Sequence, residues 1–530
     1  MKRLIVTSAA LLAATAITPA NAQRVRVSPY IEASQVVAAD LNGGDVLTYS
    51  TVGAGIDVSA HTRRVEVQVS YRYERRFDYQ NKLNNDQTHS GLATVRATVA
   101  PGLSIEAGGI ATRTRSDIRG DVQTSNLGNF SNSAQVFSAY VGPNLATHLG
   151  PMFVNGAYRF GYTKVEAPGQ TGVAANQPRL DYYDSSTVHV ATASVGVKSG
   201  TVLPVGITAS GSYTRENAGQ LDQRFEGKWG RGDVVLPIMR GLALAGGVGY
   251  EQIRISQRDA LLVGGVPVVD GAGRFKTDPN SPRRIAYDLS GVFWDAGVIW
   301  KPSRRTFFEA RVGRRYGSMS YTGSLSYQAG PGSGIQIGVY DTVQTFGQQL
   351  NGGISALPTA LASTTDPFGN QFSGCIYGTT GAATGGCMTG ILASATTSAY
   401  RGRGVTGVAV MGRGGTRIGI GGGWARRDFI APAGGNGFTT NGTSDTTIYG
   451  QLFASTDVGP NGSLQGSVIG SYYNSDLPGN DGIYGWGANT AYTHRFGRLG
   501  ATLSAGVFGF ERDGESSASA QALLGLRYGF

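Results

Sequence analysis

The chain has 530 residues, of which 40% are hydrophobic, 15% charged and 9% aromatic, with a formal net charge of +10. Its 81 glycines could signal low complexity, but aromatic and apolar residues run evenly through the chain, which excludes a disordered polymer. What remains is a set of ordinary domains or one very large sheet protein, and a mean hydropathy of −0.12 flags no membrane class.

The first stretch, MKRLIVTSAALLAATAITPANAQ, sets Lys2 and Arg3 before an apolar run from Leu4 to Ile17 and closes on Ala20-Asn21-Ala22. This is the layout of a secretory signal cut after Ala22, so residues 1–22 are expected to be removed and residues 23–530 to form the mature protein. Losing Lys2 and Arg3 takes the charge from +10 to +8. No later run approaches the roughly 18 apolar residues of a spanning helix.

Strand patterns follow. Along Val65 to Asp78, Val65, Val67, Val69, Tyr71 and Tyr73 share one face, and Glu66, Gln68, Ser70, Arg72, Glu74 and Arg76 share the other. This is period two without a slip, a long strand apolar on one side and charged on the other. The pattern returns where Val154, Tyr158, Phe160 and Tyr162 oppose Asn155, Arg159 and Thr163. It returns again where Phe308, Ala310 and Val312 oppose Glu309, Arg311 and Arg315, and where Tyr484, Trp486, Ala488 and Tyr492 oppose Asn489 and Thr493.

Short and long connections alternate. Tight turns are expected at 99–104, 148–152, 301–305, 411–416, 458–462 and 495–500. Longer polar connections are expected near 78–88, 116–131, 165–186, 257–284, 344–397, 430–445 and 476–482. Alternation of this kind belongs to a barrel crossing a membrane, with turns on one side and loops on the other. The expected fold is all-β, a transmembrane antiparallel β-barrel of about 22 strands. Closure would leave no exposed sheet edge.

Cys375 and Cys387, twelve residues apart in a Gly/Thr-rich stretch without His, Asp or Glu, are expected to form one local disulfide and no metal site. They fall in the 344–397 connection, where Gln348 to Ser363 has a helical character. This loop either folds into the barrel or caps it from outside.

The tail, ALLGLRYGF, puts Ala522, Leu524, Leu526, Tyr528 and Phe530 on one face. It resembles the C-terminal signal of bacterial outer-membrane barrels, which implies recognition by the barrel-assembly machinery and a place in the cell outer membrane among its lipids. Physically, the five residues form a lipid-facing stripe with Tyr528 and Phe530 at the interface. The stretches ADLNGGDVLTYSTVGAGIDVSAHTRRVEVQVSYRYERR, ATRTRSDIRG, YRFGYTKVEAPG and PRLDYY are similar to a family of uncharacterised exported barrel proteins of Gram-negative bacteria. Some members carry the label of a preprotein translocase accessory subunit, a small one-helix protein whose size and helix this chain does not share. A looser similarity, in architecture, is to outer-membrane proteins accompanying exopolysaccharide and sorting systems. Plug-bearing receptors resemble it in strand number, but regular alternation starts within about 50 residues of the cleavage site, so no N-terminal plug domain is expected.

Chemistry-bearing motifs are few. Gly402 to Gly407 fits GxGxxG but lies in a strand-like run, not between a strand and a helix. His61, His148 and His494 fall near short turns, His89 borders a long loop, and His189 follows Asp181 and Asp184, a weak proton-relay pattern. Asp270-Gly271 suits a small turn inside the 257–284 loop. No enzyme activity and no cofactor are expected. The inward faces supply the functional candidates: Glu66, Glu74 and Glu309, with Glu106, against Arg72, Arg76, Arg159, Arg311 and Arg315, with Arg527. Arginines lining a water-filled pore favour anions, whereas arginines paired with glutamates merely balance interior charge. The arginines are dispersed over strands, unlike a nucleic-acid-binding arm. The leading expectation is a porin-like or export-associated channel with a mild preference for anionic solutes or polysaccharide. A non-transporting scaffold comes second and a barrel enzyme third.

Overall fold

A computed structural model describes residues 25–79, 87–115, 133–166, 182–363, 368, 374–378, 385–433, 440–476, 482–512 and 515–530. The expected signal segment and Asp181 lie outside the described residues. In chain order the first strands are β1 (Val25–Asp40), β2 (Val46–His61), β3 (Val65–Asp78), β4 (Gln87–Ala100), β5 (Leu103–Arg115), β6 (Ser133–Leu149) and β7 (Met152–Val165). Next come β8 (Ser185–Val197), β9 (Gly206–Ala218), β10 (Arg224–Met239) and β11 (Leu242–Gln257), then a small hairpin of β12 (Leu262–Val263) and β13 (Val266–Pro267). The wall resumes with β14 (Arg284–Ser303), β15 (Thr306–Arg315), β16 (Ser318–Gly330) and β17 (Ser333–Gln344). A helix, α1 (Phe346–Ser355), and three short strands, β18 (Leu361–Ser363), β19 (Cys375–Gly378) and β20 (Gly385–Cys387), follow. The last wall strands are β21 (Ala399–Arg413), β22 (Thr416–Ile430), β23 (Ser444–Val458), β24 (Gly462–Ser475), β25 (Ile483–Phe496), β26 (Leu499–Arg512) and β27 (Glu515–Gly529).

Twenty-two strands form one sheet, each pairing with its neighbour in the chain order of the wall. The sheet closes because β1 pairs antiparallel with β27, from Tyr30 opposite Gly529 to Asp40 opposite Ser519. Closure satisfies the backbone groups that an edge would leave open. The expected fold class, all-β with about 22 antiparallel strands, is the one observed.

Period-two patterning decides which face points inward. On β3, Glu74 and Arg76 are 2% and 3% exposed, whereas Tyr71 on the alternate face is 38% exposed. The charged face therefore looks into the lumen and the apolar face looks out. Val292, Tyr321, Leu503 and Leu524 are among the outward side chains left open on the outer surface. Aromatic residues border this band at both ends. Trp300, Tyr492, Phe496, Tyr528 and Phe530 lie towards one end, and Tyr213, Tyr321, Trp424, Tyr484 and Trp486 towards the other. From Trp486 to Phe496 the strand runs about 33 Å, or about 25 Å of depth at a tilt of ~40°.

The connections sort by end. Ten turns of two to eight residues lie at the end where Val25 and Phe530 also lie: 62–64, 101–102, 150–151, 198–205, 240–241, 304–305, 331–332, 414–415, 459–461 and 497–498. We call this the turn end. The opposite, loop end carries all seven connections expected to be long, together with tight ones such as 316–317.

Candidate functional site: a lumen crossed by the β17–β21 connection

Of residues 345–398, which join β17 to β21, the described ones enter the lumen. Thr345 caps α1, its side-chain oxygen accepting from the Gln348 backbone N–H at 3.3 Å. Phe346, Leu350 and Ile354 follow at intervals of four residues, fall on one face and are fully buried. They pack on Leu92, Ile110, Val136, Tyr140 and Val165, inward-facing residues of β4 to β7. The helix ends at Ser355, short of the expected Ser363. Pro358 offers no N–H to continue it, and the chain turns into β18 at Leu361.

By then the segment has descended towards the turn end. The Thr359 hydroxyl donates to Glu66 at 2.5 Å. Gln68 brackets Leu361, accepting from its N–H and donating to its carbonyl, both at 2.8 Å. Glu66 and Gln68 open β3, beside the 62–64 turn.

The return path uses other parts of the wall. Phe368 packs edge-on against Phe508, 6.0 Å between ring centroids, with Val36, Tyr49 and Leu523 around it. Cys375 and Cys387 are disulfide-bonded, as the spacing predicts. Their strands lie on β21 to β23: the Cys375 N–H donates to Gln451 at 2.7 Å, and Tyr377 stacks on Phe453 at 5.7 Å. Val408, Val410 and Tyr449 complete that cluster. Back at the loop end, Thr114 donates to the Leu392 carbonyl at 2.7 Å. Arg427, bound to Asp445 through its Nε at 2.9 Å, also donates to Ser394 at 2.7 Å. The 345–398 segment is therefore held to three separate sectors of the barrel: β4 to β7, β21 to β23, and the β1, β2, β26 and β27 seam.

A second closure lies at the loop-end rim. The wall is low at β15 and β16, which are joined by the two-residue turn Tyr316–Gly317. Over that dip, Val343 and Ala399 from the tops of β17 and β21 pack on Phe225, Ile253 and Ile255, which face inward on β10 and β11.

The lumenal charges occupy defined pairs. Arg72 contacts Glu32 and meets Glu74 at 2.5 Å, and Arg76 meets Glu74 at 2.9 Å. Arg311 bonds Asp233 at 2.8 Å, Asp295 at 2.9 Å and Glu309 at 2.6 Å, while Arg231 shares the same two aspartates. Arg315 meets Glu251 at 2.8 Å and lies over the Phe293 ring. Arg159 lies over the Tyr140 ring at 5.1 Å and makes no ion pair among the described residues. Arg527 meets Asp57 at 2.5 Å, and Glu106 meets Arg96 at 3.8 Å. The face of β10 to β15 thus carries Arg231, Arg311 and Arg315 against Asp233, Glu251, Asp295 and Glu309. Arg231, Asp233, Glu251 and Asp295 are the members that sequence patterning left unmarked.

The remaining motifs separate. His89 and His189 accept or donate at Tyr71 and Tyr158 hydroxyls, 2.7 and 2.8 Å away, on the outer face. Asp184 is bound instead to Arg274 at 2.5 Å, so His189 and Asp184 do not meet. Gly402 to Gly407 lie within β21, with no helix following. Asp270 does organise a turn, accepting from the Ala272 and Arg274 N–H groups at 2.9 Å. Desolvation pushes its carboxyl up, but those two N–H groups and the Arg274 guanidinium outweigh it and hold the group below the usual aspartate range. Ala522, Leu524, Leu526, Tyr528 and Phe530 are all exposed on the outward stripe of β27.

No protein-family model and no curated protein matches the chain. Among solved structures it is similar to the ferric-catecholate import receptor Fiu from E. coli K12, with 9% identity and a TM-score of 0.43, covering 97% of this chain and 82% of that one. It is also similar to the FrpB iron transporter from Neisseria meningitidis, with 11% identity and a TM-score of 0.43, covering 95% and 82%. A third likeness is to the siderophore receptor PirA from Acinetobacter baumannii, with 8% identity and a TM-score of 0.40, covering 96% and 81%.

Proposed function

We propose that this chain is an outer-membrane transport barrel whose lumen is constricted by its own β17–β21 connection. The outward apolar band, the two aromatic borders and the sorting of connections by end support a membrane-spanning placement, with the turn end in the periplasm and the loop end outside. The observation that carries the constriction is the anchoring of residues 345–398 to three wall sectors. In this reading the internal loop, not a separate N-terminal domain, narrows the lumen. Below the loop-end closure made by Val343 and Ala399, what solute passes does so along β10 to β15, the sector that the clusters of residues 345–398 do not include.

That sector carries three arginines and four carboxylates, an amphoteric lining that suits small polar or zwitterionic solutes. A mild preference for anionic solutes or polysaccharide, the finer expectation, would draw on Arg159 instead. Recognition of the last strand by the barrel-assembly machinery belongs to the same reading.

Planar-bilayer conductance of the refolded mature protein tests it, beside a variant with residues 347–397 replaced by a short Gly/Ser linker. Small steps from the wild type and much larger ones from the variant are expected. Equal steps from both would remove the constriction. A wild type with neither conductance nor solute flux, from correctly folded barrel, would favour the scaffold reading that the packed lumen also suits.

A further inference from the structure

The ten short turns at the turn end contain Arg63, Arg64, Lys198, Arg240, Arg304, Arg305 and Arg498, and not one Asp or Glu. All seven are exposed, and none makes an ion pair among the described residues. The lumenal arginines Arg72, Arg76, Arg231, Arg311 and Arg315 are each matched by carboxylates. The loop end carries both signs: residues 258–283 alone hold Asp259, Asp270 and Asp278 beside Arg258, Arg274, Lys276 and Arg283. Among the described residues, positive charge without a carboxylate partner is therefore concentrated at one rim, next to the aromatic border.

The densest part of that rim lies at two adjacent turns, joined by the Lys301 N–H donating to the Gly241 carbonyl at 2.6 Å. Arg240, Arg304 and Arg305 occupy these turns, with Lys301 beside them. Within the band, on the outward face of β14 to β17, the wall has a cavity of about 450 Å³. Its floor is made of small residues in neighbouring strands, Ala296, Ala310 and Gly323, with Ala310 directly opposite Gly323. Phe308, Tyr321 and Leu325 stand around it. Phe308 is three residues beyond Arg305 along β15, about 10 Å. A cationic cluster thus sits above an apolar trough that runs from Phe308 and Leu325 into the hydrocarbon band.

We propose that this place is a binding site for an anionic glycerophospholipid of the adjoining leaflet, its phosphate at Arg240, Arg304 and Arg305 and one acyl chain in the trough. The inference rests on the membrane-spanning reading but not on transport. Cations just outside a hydrocarbon band attract anionic headgroups over zwitterionic ones, and a trough of small residues fixes a chain that a flat wall would leave mobile.

The mature chain is placed in nanodiscs of equal phosphatidylglycerol and phosphatidylcholine, and the lipid retained on each released barrel is read by native mass spectrometry. The wild type should retain phosphatidylglycerol over phosphatidylcholine by about five-fold or more. The double variant Arg304→Ser/Arg305→Ser should bring that ratio near one. Ala310→Phe, which fills the trough from the lipid side, should lower total retained lipid without inverting the ratio. Equal retention of both lipids by the wild type, or an unchanged ratio in the double variant, overturns the proposal. Displacement by millimolar inorganic phosphate with the acyl chain irrelevant would also overturn it, in favour of a soluble-anion site. A chain that fails to enter nanodiscs, judged by the mobility of unheated protein on gels, overturns the membrane reading and this proposal with it.

Discussion

A side chain on Gly421 of β22 would collide with the staple of the lumenal segment: its Cβ would lie 2.4 Å from Cys375 Sγ and 2.9 Å from Cys387 Sγ. The wall has no side chain at that point, and the disulfide occupies the space. Gly161 stands in the same relation to Asn351 of α1, at 2.6 Å. Gly421→Leu should therefore push the disulfide hairpin off β21 to β23 and raise single-channel conductance several-fold, with the barrel still formed. A side chain on Gly450 of β23 would meet nothing within 4 Å of its Cβ, and Gly450→Leu is the control expected to leave conductance unchanged. If the two variants conduct alike, the hairpin does not limit the path.

The lumenal network centred on Arg311 predicts the sign of a selectivity change. Arg311 contacts Asp233, Asp295 and Glu309, and its side chain is 16% exposed, so its charge is felt by anything in the adjoining water. Arg311→Ser leaves three carboxylates against Arg231. The reversal potential in a salt gradient should then move towards cation preference, and Asp295→Asn should move it the other way. A reversal potential unmoved by either variant would mean that permeating ions do not pass this wall.

How much of this was legible beforehand depends on what each face of a strand touches. On β3, one face meets a lumen of charged partners and the other meets the apolar exterior, so Val65 to Tyr73 and Glu66 to Arg76 separate cleanly by period. Tyr528 and Phe530 were legible for the same reason. The path of the 345–398 segment was not, because its partners are contributed by distant strands and nothing local specifies them. A signal did exist. Val136 and Tyr140 on β6, Val408 and Val410 on β21, and Val36 on β1 are apolar on the face that should meet water, while Val141, Val405 and Val37 are exposed on the other. Strands apolar on both faces mark a lumen wall covered from inside. Charge pairing was half legible: Glu74 lies two residues from Arg72 and Arg76, whereas Asp233 and Asp295 reach Arg311 only through the side-by-side pairing of β10, β11, β14 and β15.

The loop between β11 and β14 should respond to acid through Asp270. Its folded-state carboxyl titrates below the unfolded value, so its contribution to the turn is fully present above the usual aspartate pKa of about 3.9 and is lost as pH falls through the lower folded value. Amide exchange at Ala272 and Arg274 should therefore be slow at neutral pH and accelerate below about pH 4, beyond the intrinsic pH dependence of exchange. Asp270→Asn should weaken this protection already at neutral pH and flatten its acid dependence. The Arg274 pair with Asp184, 2.5 Å long, ties the loop to the strand start at β8, so the same change should loosen exchange near Ser185.

The terminal residue separates stability from assembly. Phe530 is 64% exposed on the outer surface, packs edge-on against Tyr528 at 5.3 Å, and its N–H donates to the Pro29 carbonyl at 3.1 Å. That backbone bond survives any side-chain change, and β27 keeps its register with β1 through eleven residue pairs from Tyr30–Gly529 to Asp40–Ser519. Phe530→Ala should therefore cost the refolded barrel little, about 1 kcal/mol of interfacial contact. In cells the same variant should lower the amount of heat-modifiable barrel in the outer membrane several-fold, under the proposed recognition of the last strand by the barrel-assembly machinery. Comparable losses in the refolded and cellular measurements would assign Phe530 to stability alone. A refolded barrel of near-normal urea midpoint, with depleted cellular barrel, would place its role in assembly.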